Sequence, residues 1–456
     1  MSTHSPSSES CVGDFKSIYK QLVPSSTVDE VLTAMGPRNG GKPKITAVQW
    51  FMGLTFHVLA GVGSFADHML QLTGIRISDV ALSLRKVSYS WEMFALLLEK
   101  VLRPLADVTK HPGAFYQGLR LTAIDGTKFN LRNTAAINDV TTKARSSKSK
   151  TRCAFAQIMC SVLVELGTHC PLAVSFGWNG EGELTLVRDL FDKIAACSLI
   201  LADRLYGSPW LLWEMKPFLT AQESYILVRV KANHKVTRIR RLRDGSWLVD
   251  VIVKDPSTNR IVGTLRLREI RARLTAGTNS TTHDYRFWTT LLDAKTHPAP
   301  TLVKLYAERW EQELFFRELK HNIHAEQQLL HALTVESAAY EIMSLMLAAA
   351  VLAGERIKVA QEAGVPIVQI SLMQLLQHTR ALYLIIEIAR GALSNEQIAA
   401  IVKCVIESLA KTAVIKPRRK RRCQRAVRQP SKSWPKMRHP TSEKLDVKIE
   451  IVESNT

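Results

Sequence analysis

The sequence has no cysteine pair at the spacing of a metal site or a redox motif. Its seven cysteines form no C-x-x-C pair and are scattered through apolar stretches. They are Cys11, Cys153, Cys160, Cys170, Cys197, Cys404 and Cys423. This distribution is typical of a reducing cytosol and argues against a disulfide framework or a structural zinc cluster. His321, His324 and His331 lie close together without an accompanying Cys or acidic ligand pattern. We therefore predict helix-surface or phosphate-facing side chains there, rather than a metal site.

Long apolar segments are missing as well. The first ten residues, MSTHSPSSES, are polar and lack the apolar core of a secretory signal, so no signal peptide is predicted. The longest strongly apolar run, Met343 to Gly354, has twelve residues, whereas a membrane-spanning helix needs about 20. We expect a buried helix at this run, and a cytoplasmic protein that does not enter a membrane.

Acidic residues are scarce relative to basic ones. The 456 residues include 61 Lys and Arg against 41 Asp and Glu, which gives a formal charge of +20. Three acid-free runs, 141–152, 229–243 and 411–440, hold five, seven and twelve basic residues, which together exceed the whole surplus, so the rest of the chain is slightly acidic. One such run alone is more often a solvated face or a disordered tail. Three in one chain favour a polyanion-binding protein, with nucleic acid as the first expected partner and an anionic membrane surface as the second.

The pattern of residues changes several times along the chain. An apolar fraction of 46% is enough for a sizeable core and excludes disorder throughout. The chain divides into seven segments. They are distinguished by helical spacing, by short apolar runs with β-branched residues, and by turn signals. We predict a loose segment 1–26, a helical domain 27–112, the first part of an α/β core 113–235, a β-rich insertion 236–292, a core helix 293–334, a helical region 335–410 and a basic, disordered tail 411–456.

Two aspartates follow two predicted central strands. Asp125 ends the apolar run from Leu119 to Ile124, and Asp203 ends the run from Ser198 to Ala202. Taken singly, Asp-Gly is a turn signal and Asp-Arg is a surface ion pair. Taken together, the two acids resemble partners across neighbouring strands, where ligands gather in α/β sheets. Metal-dependent phosphoryl transfer needs such carboxylates, and it needs a third acid to flank the ions.

A long amphipathic helix predicted from Thr301 to Leu330 offers the third acid. Tyr306, Arg309, Glu313 and Lys320 follow the spacing Y-x2-R-x3-E-x6-K, which places them within an arc of about 60° on an ideal α-helix. A stripe of these residue types is not a core face. Three other acids on this helix, Glu308, Glu311 and Glu318, point away from the stripe, so Glu313 is the preferred one.

These motifs resemble the signature of the insertion-sequence-four family of transposases, the DDE type with a ribonuclease H-like core. The resemblance covers roughly residues 30–335: the helical N-terminal region, Asp125 in D-G-T, Asp203 before an aromatic residue, the β-rich insertion and the Glu313 helix. It implies an α/β fold with a mixed-sheet catalytic core flanked by helical regions. One departure is Leu205, which replaces the usual small residue of the second motif, so a different local turn is expected there.

The resemblance implies a two-metal DNA-cutting site. Asp125, Asp203 and Glu313 would hold two Mg²⁺ ions, with Mn²⁺ as a substitute, for strand cleavage by water and strand transfer by the freed 3′-hydroxyl. The partners implied are double-stranded DNA, as terminal inverted repeats and target, and a second copy of the chain. The helical domain 27–112 is expected to bind DNA, and the protein to be a bacterial, DNA-associated one. Whether a hairpin forms at the element end stays open.

Further residues are candidates for contacts with DNA. Arg309 and Lys320 lie on the Glu313 face, where cations grip phosphates, and Tyr306 is placed beside the same backbone. Thr127 is a candidate for orienting a phosphate or a water. In the β-rich insertion, Trp247 and Trp288 are candidates for stacking on a displaced base, although core packing is favoured for both.

Two alternatives to a transposase stay open. The first is a nucleic-acid-binding protein without catalysis, including an inactive relative, which needs the basic runs but not three aligned acids. The second is a ribonuclease H-like nuclease that hydrolyses DNA without strand transfer. A tyrosine recombinase is disfavoured because Tyr306 sits mid-helix among acids, outside an R…H-x-x-R…Y context.

Overall fold

The computed structural model describes residues 14–36, 44–141, 155–276, 281–324 and 329–415, together with the short stretches 426–427, 436–437 and 448–451. The chain divides into two compact units. Unit 1 comprises residues 1–114, 126–193 and 311–414, and unit 2 comprises residues 115–125, 194–310 and 415–456. The division therefore passes through one strand after Asp125 and through one helix after Trp310.

Half of the fourteen α-helices in the described residues begin with a capping Ser or Thr side chain. Thr46 with Gln49 and Ser394 with Gln397 each form a reciprocal capping box, which satisfies two free backbone donors at a helix start. The α-helices are α1 Phe15–Leu22, α2 Ser25–Ala34, α3 Ala47–Ala60, α4 Phe65–Thr73, α5 Asp79–Ser88, α6 Trp91–Val101, α7 Ala135–Val140, α8 Glu183–Leu186, α9 Pro209–Ala221, α10 Ala299–Leu305, α11 Trp310–Arg317, α12 Val335–Ala363, α13 Leu372–Ala389 and α14 Asn395–Thr412.

Tighter and wider helical turns connect several of these elements. The 3₁₀ segments are Pro112–Ala114, Val187–Lys193, Arg204–Tyr206, Tyr306–Arg309 and Ile367–Gln369, and a π-helix covers Glu318–Ile323. The strands are β1 Phe115–Tyr116, β2 Leu119–Asn130, β3 Gln157–Glu165, β4 Cys170–Gly177, β5 Ser198–Ala202, β6 Tyr225–Arg229, β7 Thr237–Arg241, β8 Trp247–Lys254, β9 Ile261–Ala276, β10 Thr281–Thr289, β11 Ala426–Val427, β12 Lys436–Met437 and β13 Lys448–Ile451.

Unit 1 is built around α12, which packs against α3, α6, α13 and α14. The predicted buried helix at Met343–Gly354 is confirmed, but it is longer than its apolar run, because α12 extends over 29 residues. By length and composition α12 would reach across a membrane, yet 83% of its most apolar window is buried inside the protein. The helices α3 and α4 pass the same test only together, as a pair bent by 120°. The antiparallel strands β3 and β4 continue this unit beside β2.

Unit 2 contains a mixed sheet in the order β2-β5-β6-β10-β9-β8-β7. The first three strands are parallel, and the strands from β10 to β7 pair antiparallel to their neighbours. The expected mixed α/β character is confirmed, and the expected strands of 236–292 are present as β7–β10. They continue the same sheet, because β10 pairs with β6. The division of the chain into seven segments stays a prediction.

Four local expectations are wrong. Residues 15–22 form α1 with Phe15 and Tyr19 buried, so the segment 1–26 is not loose at that end. The strand that begins at Leu119 does not end at Ile124 but runs to Asn130. The single helix expected from 301 to 330 is a succession of α, 3₁₀, α and π turns that ends at Ile323. Of the basic tail, residues 448–451 form β13 on β9, while most of the tail and the basic run 142–152 lie outside the described residues.

Candidate active site

Asp125 and Asp203 lie at adjacent positions of two neighbouring parallel strands. The last registered pair of β2 and β5 is Ile124 with Ala202, and each aspartate is the next residue of its chain. Neighbouring strands are about 4.8 Å apart, and residues in register direct their side chains to the same face. Asp203 keeps an extended backbone, with φ −77° and ψ 173°. The two carboxylates therefore start from neighbouring points on one face of the sheet in unit 2.

The backbone takes a different course after each of the two acids. The strand β5 ends at Ala202, as the sequence predicts, and after Asp203 the chain forms the 3₁₀ turn Arg204–Tyr206. After Asp125 the strand β2 continues for five residues, so Asp125-Gly126 is not a turn. The unusual Leu205 is accommodated because its side chain is 44% exposed, whereas the next residue, Tyr206, is completely buried.

Arg309 stands beside the first acid. Its Nη1 atom lies 3.6 Å from Oδ2 of Asp125, and the two side chains are only 17% and 23% exposed. Because partial burial weakens screening by water, this guanidinium is a strong local positive charge at the carboxylate. A planar guanidinium of this kind also binds phosphate oxygens in pairs. The predicted contact of Arg309 with DNA phosphates stays a prediction.

The Tyr306 side chain points towards β5, the strand that precedes Asp203, rather than towards solvent. Its hydroxyl donates to the carbonyl oxygen of Ala202 at 3.1 Å, and its ring packs edge-on against Phe287 at 4.8 Å. Burial raises the pKa of the Tyr306 hydroxyl, so this group stays protonated and donates. Tyr306 thus fixes the end of β5 immediately before Asp203.

Gly126 follows Asp125 at a point where a side chain has no space. A Cβ atom there would lie 2.3 Å from Cδ of Glu183 and 2.5 Å from Cε of Met159. Within unit 1, the carboxyl group of Glu183 therefore rests on the backbone of β2. The sequence did not single out Glu183, which stands at the start of the short helix α8. Thr127 is buried within β2.

Glu313 and Lys320 lie in unit 1, on α11 and on the π-helix. Glu313 is half-buried. The Lys320 ammonium donates to the carbonyl oxygen of Lys128 at 2.7 Å and lies 5.1 Å from the centre of the Phe129 ring. Burial lowers the pKa of Lys320. The calculated 60° arc does not describe this segment, because 3₁₀ and π turns replace ideal α geometry at 306–309 and 318–323.

Two of the three rival acids are used in a buried ion network of unit 1. The Nδ1 atom of His169 lies 2.6 Å from Oε2 of Glu318, and its Nε2 atom lies 3.0 Å from Oε2 of Glu311. Arg356 approaches Glu318 at 3.4 Å. The neighbouring Glu318 raises the pKa of His169 against the effect of burial, and His169 and Arg356 lower that of Glu318 to about 2. Because two rival acids are engaged in this network, it supports the choice of Glu313 as the third acid. No sequence motif indicates the network.

The two candidate stacking tryptophans differ. Trp288 is completely buried and donates from Nε1 to Glu269 at 3.1 Å, so it is a core residue and base stacking is wrong for it. Trp247 is half-buried, and the guanidinium of Arg238 lies over its ring at 5.0 Å. Trp247 therefore stays a candidate.

The chemistry of these residues suits a hard cation and a phosphate. Asp125 and Asp203 have adjacent backbone positions and offer carboxylate oxygens, which are the ligands that Mg²⁺ prefers. Arg309 adds a positive charge for an anionic substrate at the same place. A polar site of acids and one partly buried arginine on a sheet face has the composition of a phosphoryl-transfer site.

Comparisons with known proteins agree with this chemistry. A family model described as "Transposase DDE domain" matches residues 116–349, just over half of the chain. Transposase InsG for insertion sequence element IS4, from Escherichia coli (strain K12), is 26% identical over 257 residues, which are 56% of this chain and 56% of that protein. The chain thus matches about half the length of this curated relative.

A solved structure is also similar. The cryo-EM structure of the piggyBac transposase synaptic complex with hairpin DNA aligns with 87% of this chain and 86% of its own, at a TM-score of 0.41 and 11% sequence identity, a level that does not define the fold. Because the family model spans more than half of the sequence, this chain belongs to the DDE transposases, and the insertion-sequence-four type indicated by Y-x2-R-x3-E-x6-K is confirmed.

Proposed function

We propose that this protein is a transposase that cuts DNA at the ends of an insertion element and transfers the strand to a target. The observation that carries this proposal is the adjacent placement of Asp125 and Asp203 on parallel strands, with Arg309 at Asp125. Membership of the DDE transposases supports it. In the proposed reaction, water attacks a phosphodiester and frees a 3′-hydroxyl, which then attacks a target phosphodiester and releases the target's own 3′-hydroxyl.

Three acids of this chain are proposed as metal ligands. Asp125, Asp203 and Glu313 would hold two Mg²⁺ ions, or Mn²⁺ in their place, since all three are hard carboxylates and Glu313 follows Arg309 by four residues. Bound ions of this kind activate the attacking oxygen and stabilise the leaving one. Dependence on divalent metal is general in this family, and the number of ions is part of the proposal.

The remaining residues of the site are proposed to bind and position. Arg309 binds a phosphate oxygen near the scissile bond, because its guanidinium is held at Asp125. Lys320, which lies at the Lys128 carbonyl, is the second phosphate-facing cation. Tyr306 positions Asp203 through its hydrogen bond to Ala202. Trp247 is the remaining candidate for stacking on a base.

Several features of the whole protein are part of the same proposal. The mixed sheet with its flanking helices is proposed to contain a ribonuclease H-like core. The substrates are double-stranded DNA with the element's terminal inverted repeats, and target DNA, and two copies of the chain pair on the two ends. The helical region 27–112 binds DNA, and the protein is cytoplasmic and DNA-associated. The acidic pair and the basic surface β7 support the DNA part of this proposal.

The test uses the full-length protein with DNA that carries the inverted repeats flanking its gene, in Mg²⁺ or Mn²⁺. Cleavage and strand-transfer products are resolved on sequencing gels, and binding is followed by gel shift. We expect Asp125→Asn, Asp203→Asn and Glu313→Gln each to abolish both products while binding is largely kept, because the amides cannot replace charged metal ligands.

The matched control is Glu308→Gln, which removes an exposed acid in the 3₁₀ turn before α11. Its products should equal those of the wild type. Full cleavage by Glu313→Gln combined with loss in Glu308→Gln would contradict the assignment of the third acid. Cleavage without strand transfer would indicate a nuclease, and binding without cleavage an inactive relative.

A further inference from the structure

Histidines and one glutamate gather in unit 1, on elements that carry none of the three proposed catalytic acids. His324 ends the π-helix segment, His331 precedes α12, and Glu341 lies in the second turn of α12. His57 of α3 lies next to them, with its Nδ1 atom 2.9 Å from Nδ1 of His68 on α4. No acidic ligand for these histidines was recognisable in the sequence, because Glu341 reaches them only through the packing of α12.

Three residues of this group, His324, His331 and Glu341, have the spacing of a metal site. Oε1 of Glu341 lies 3.1 Å from Nδ1 of His331 and 3.8 Å from Nδ1 of His324, and one donor atom from each residue falls within 4.8 Å of the others. The two imidazole rings stand perpendicular, with centres 5.8 Å apart. Ligands of a tetrahedral Zn²⁺ at about 2.0 Å are separated by roughly 3.3 Å, so small side-chain movements would complete the geometry.

His324 is unusual in this group. It is only 7% exposed, and among the described residues its Nε2 atom has no hydrogen-bond partner. The other ring nitrogen, Nδ1, is the one that faces Glu341, at 3.8 Å from Oε1, which is too long for a hydrogen bond but close to the separation of two ligands of one ion.

We propose that His324, His331 and Glu341 form a site for a transition-metal ion of the Zn²⁺ class, with solvent at the remaining position. Two imidazoles and one carboxylate are a common zinc set, whereas Mg²⁺ requires oxygen ligands. The site therefore differs in metal preference from the acids Asp125 and Asp203. The ion would link His324 and His331 to α12.

A simpler role explains part of this cluster. The Glu341 carboxylate accepts hydrogen bonds from the backbone N–H groups of His331 and Ala332, each at 3.1 Å, so it anchors this loop without any ion. The Nδ1 atom of His331 also lies within hydrogen-bond distance of this carboxylate, at 3.1 Å from Oε1, whereas Nδ1 of His324, at 3.8 Å, is too far for such a bond and is left unexplained by this role. The two explanations make different predictions, because only the metal site responds to added Zn²⁺ or to a chelator.

The test titrates Co²⁺, and then competing Zn²⁺, into the chelator-treated full-length protein. The background is Asp203→Asn, so that binding by the proposed DNA-cutting acids does not contribute. We expect one equivalent of Co²⁺ to give the strong visible absorption of a four-coordinate ion, and Zn²⁺ to displace it. Zn²⁺ should also raise the melting temperature, since a ligand that binds only the folded state stabilises it.

Two variants and a control decide the outcome. His331→Ala removes a ring that is 56% exposed, so the fold should survive, and it should weaken Co²⁺ binding by about tenfold or more. Glu341→Gln should act in the same direction. His283→Ala removes an exposed ring on β10 and should bind like the background. Absence of the four-coordinate signal, or equal affinity of His331→Ala and His283→Ala, would overturn the proposal. DNA cleavage is not a readout here, so this result is independent of the proposed function.

Discussion

At the scale of single residues, a glycine controls the position of one proposed ligand. Gly207 follows Asp203 by four residues, where the 3₁₀ turn meets β6. A Cβ atom at Gly207 would lie 2.7 Å from the carbonyl oxygen of Arg229 and 3.3 Å from Cα of Val230. Both are backbone atoms, so the neighbour cannot give way by turning a side chain. The turn that carries Asp203 therefore depends on this close approach.

We expect Gly207→Ala to lower the free energy of unfolding by about 1–3 kcal/mol, the usual cost of overpacking. It should also reduce cleavage, because the strain falls on the turn after Asp203. Chemical denaturation and the cleavage assay measure the two effects. Gly354→Ala is the control: it lies within α12, where a Cβ atom meets nothing within 4 Å, so stability should stay equal or rise. Equal stability of the two variants would contradict this account.

Tyr306 gives a second prediction at this scale. Tyr306→Phe keeps the ring on Phe287 but removes the donor to the carbonyl oxygen of Ala202. A hydrogen bond of this kind contributes about 1 kcal/mol, so the unfolding midpoint should fall slightly. Cleavage should fall several-fold at unchanged DNA affinity, because the residue positions β5 rather than binding DNA. A loss of affinity with normal turnover would instead support the direct DNA contact predicted from the sequence.

Single residues also show what the sequence can predict. Asp125 and Asp203 were recognisable because both follow apolar β runs, and their adjacency then follows from parallel pairing. The role of Trp288 was ambiguous because an indole ring can pack in a core or stack on a base. Only its burial in the folded protein distinguishes the two roles. His169 gave no signal at all, since its partners lie about 140 residues away and meet it only in the folded unit.

At the scale of elements, the segment from Ala299 to Ile323 departs most from expectation. Its periodicity is that of one amphipathic α-helix, but the chain forms a 3₁₀ turn at 306–309 and a π-helix at 318–323. The periodicity of apolar residues indicates which side chains face a core. It does not indicate whether each backbone hydrogen bond closes a 3₁₀, an α or a π turn. Wide and tight turns inside helices often occur at functional sites. Here they lie on either side of Glu313.

The His169 network is one of the contacts that hold this segment, through Glu311 and Glu318. His169 has a left-handed backbone with φ +59°, which Asn tolerates better than most residues, so His169→Asn removes the imidazole with little added strain. The variant removes the imidazole partner of the largely buried Glu311 and Glu318, and of these two only Glu318 keeps the neighbouring Arg356. Removing one partner of a buried ion pair costs about 3 kcal/mol or more, so we expect a destabilisation of that order. His283→Asn, an exposed ring on β10, should change stability little.

The same network predicts a pH dependence of stability. The pKa of His169 is raised above 6.5 by its facing carboxylates, Glu311 and Glu318, although Arg356 opposes this. Its contribution is therefore complete below pH 6.5 and is lost as pH rises through the raised value. The pKa of Glu318 is lowered from 4.5 to about 2, so its contribution is lost as pH falls below 4.5 towards 2.

The stability difference between the wild type and His169→Asn should consequently be largest between about pH 4.5 and 6.5. Urea unfolding at several pH values measures it. A difference that stays constant from pH 3 to pH 9 would show that packing, not the ion pairs, explains the effect of the substitution.

At the scale of the whole molecule, the excess charge predicted a polyanion partner but not where that partner would lie. Of the three basic runs, only 229–243 is fully within the described residues. It contains β7, the edge strand of the sheet in unit 2, whose five side chains are all exposed. The sequence predicted strands here, but not that β7–β10 extend the sheet containing Asp125 and Asp203. That depends on the pairing of β10 with β6, which no local pattern encodes.

The exposed edge β7 leads to the last prediction. Arg238 and Arg240 are exposed arginines of this edge, and Arg238 also covers the ring of Trp247. If both contact phosphates, the double variant Arg238→Gln/Arg240→Gln should weaken DNA binding and lower the slope of log affinity against log salt. Each phosphate contact contributes about 0.9 to that slope, so the slope should fall by up to about 1.8.

The control uses arginines whose charge is already opposed. Arg266 pairs with Asp250, and Arg273 pairs with Asp284 at 2.8 Å, in the same β-rich region. The double variant Arg266→Gln/Arg273→Gln also removes two charges, so a purely long-range field would change equally in both variants. A smaller change of slope in this control locates the phosphate contacts on β7. Counterion release depends on the number of phosphate contacts rather than on net charge. An equal change of slope in both double variants would therefore mean that β7 makes no particular phosphate contacts and only adds to the general field of the protein.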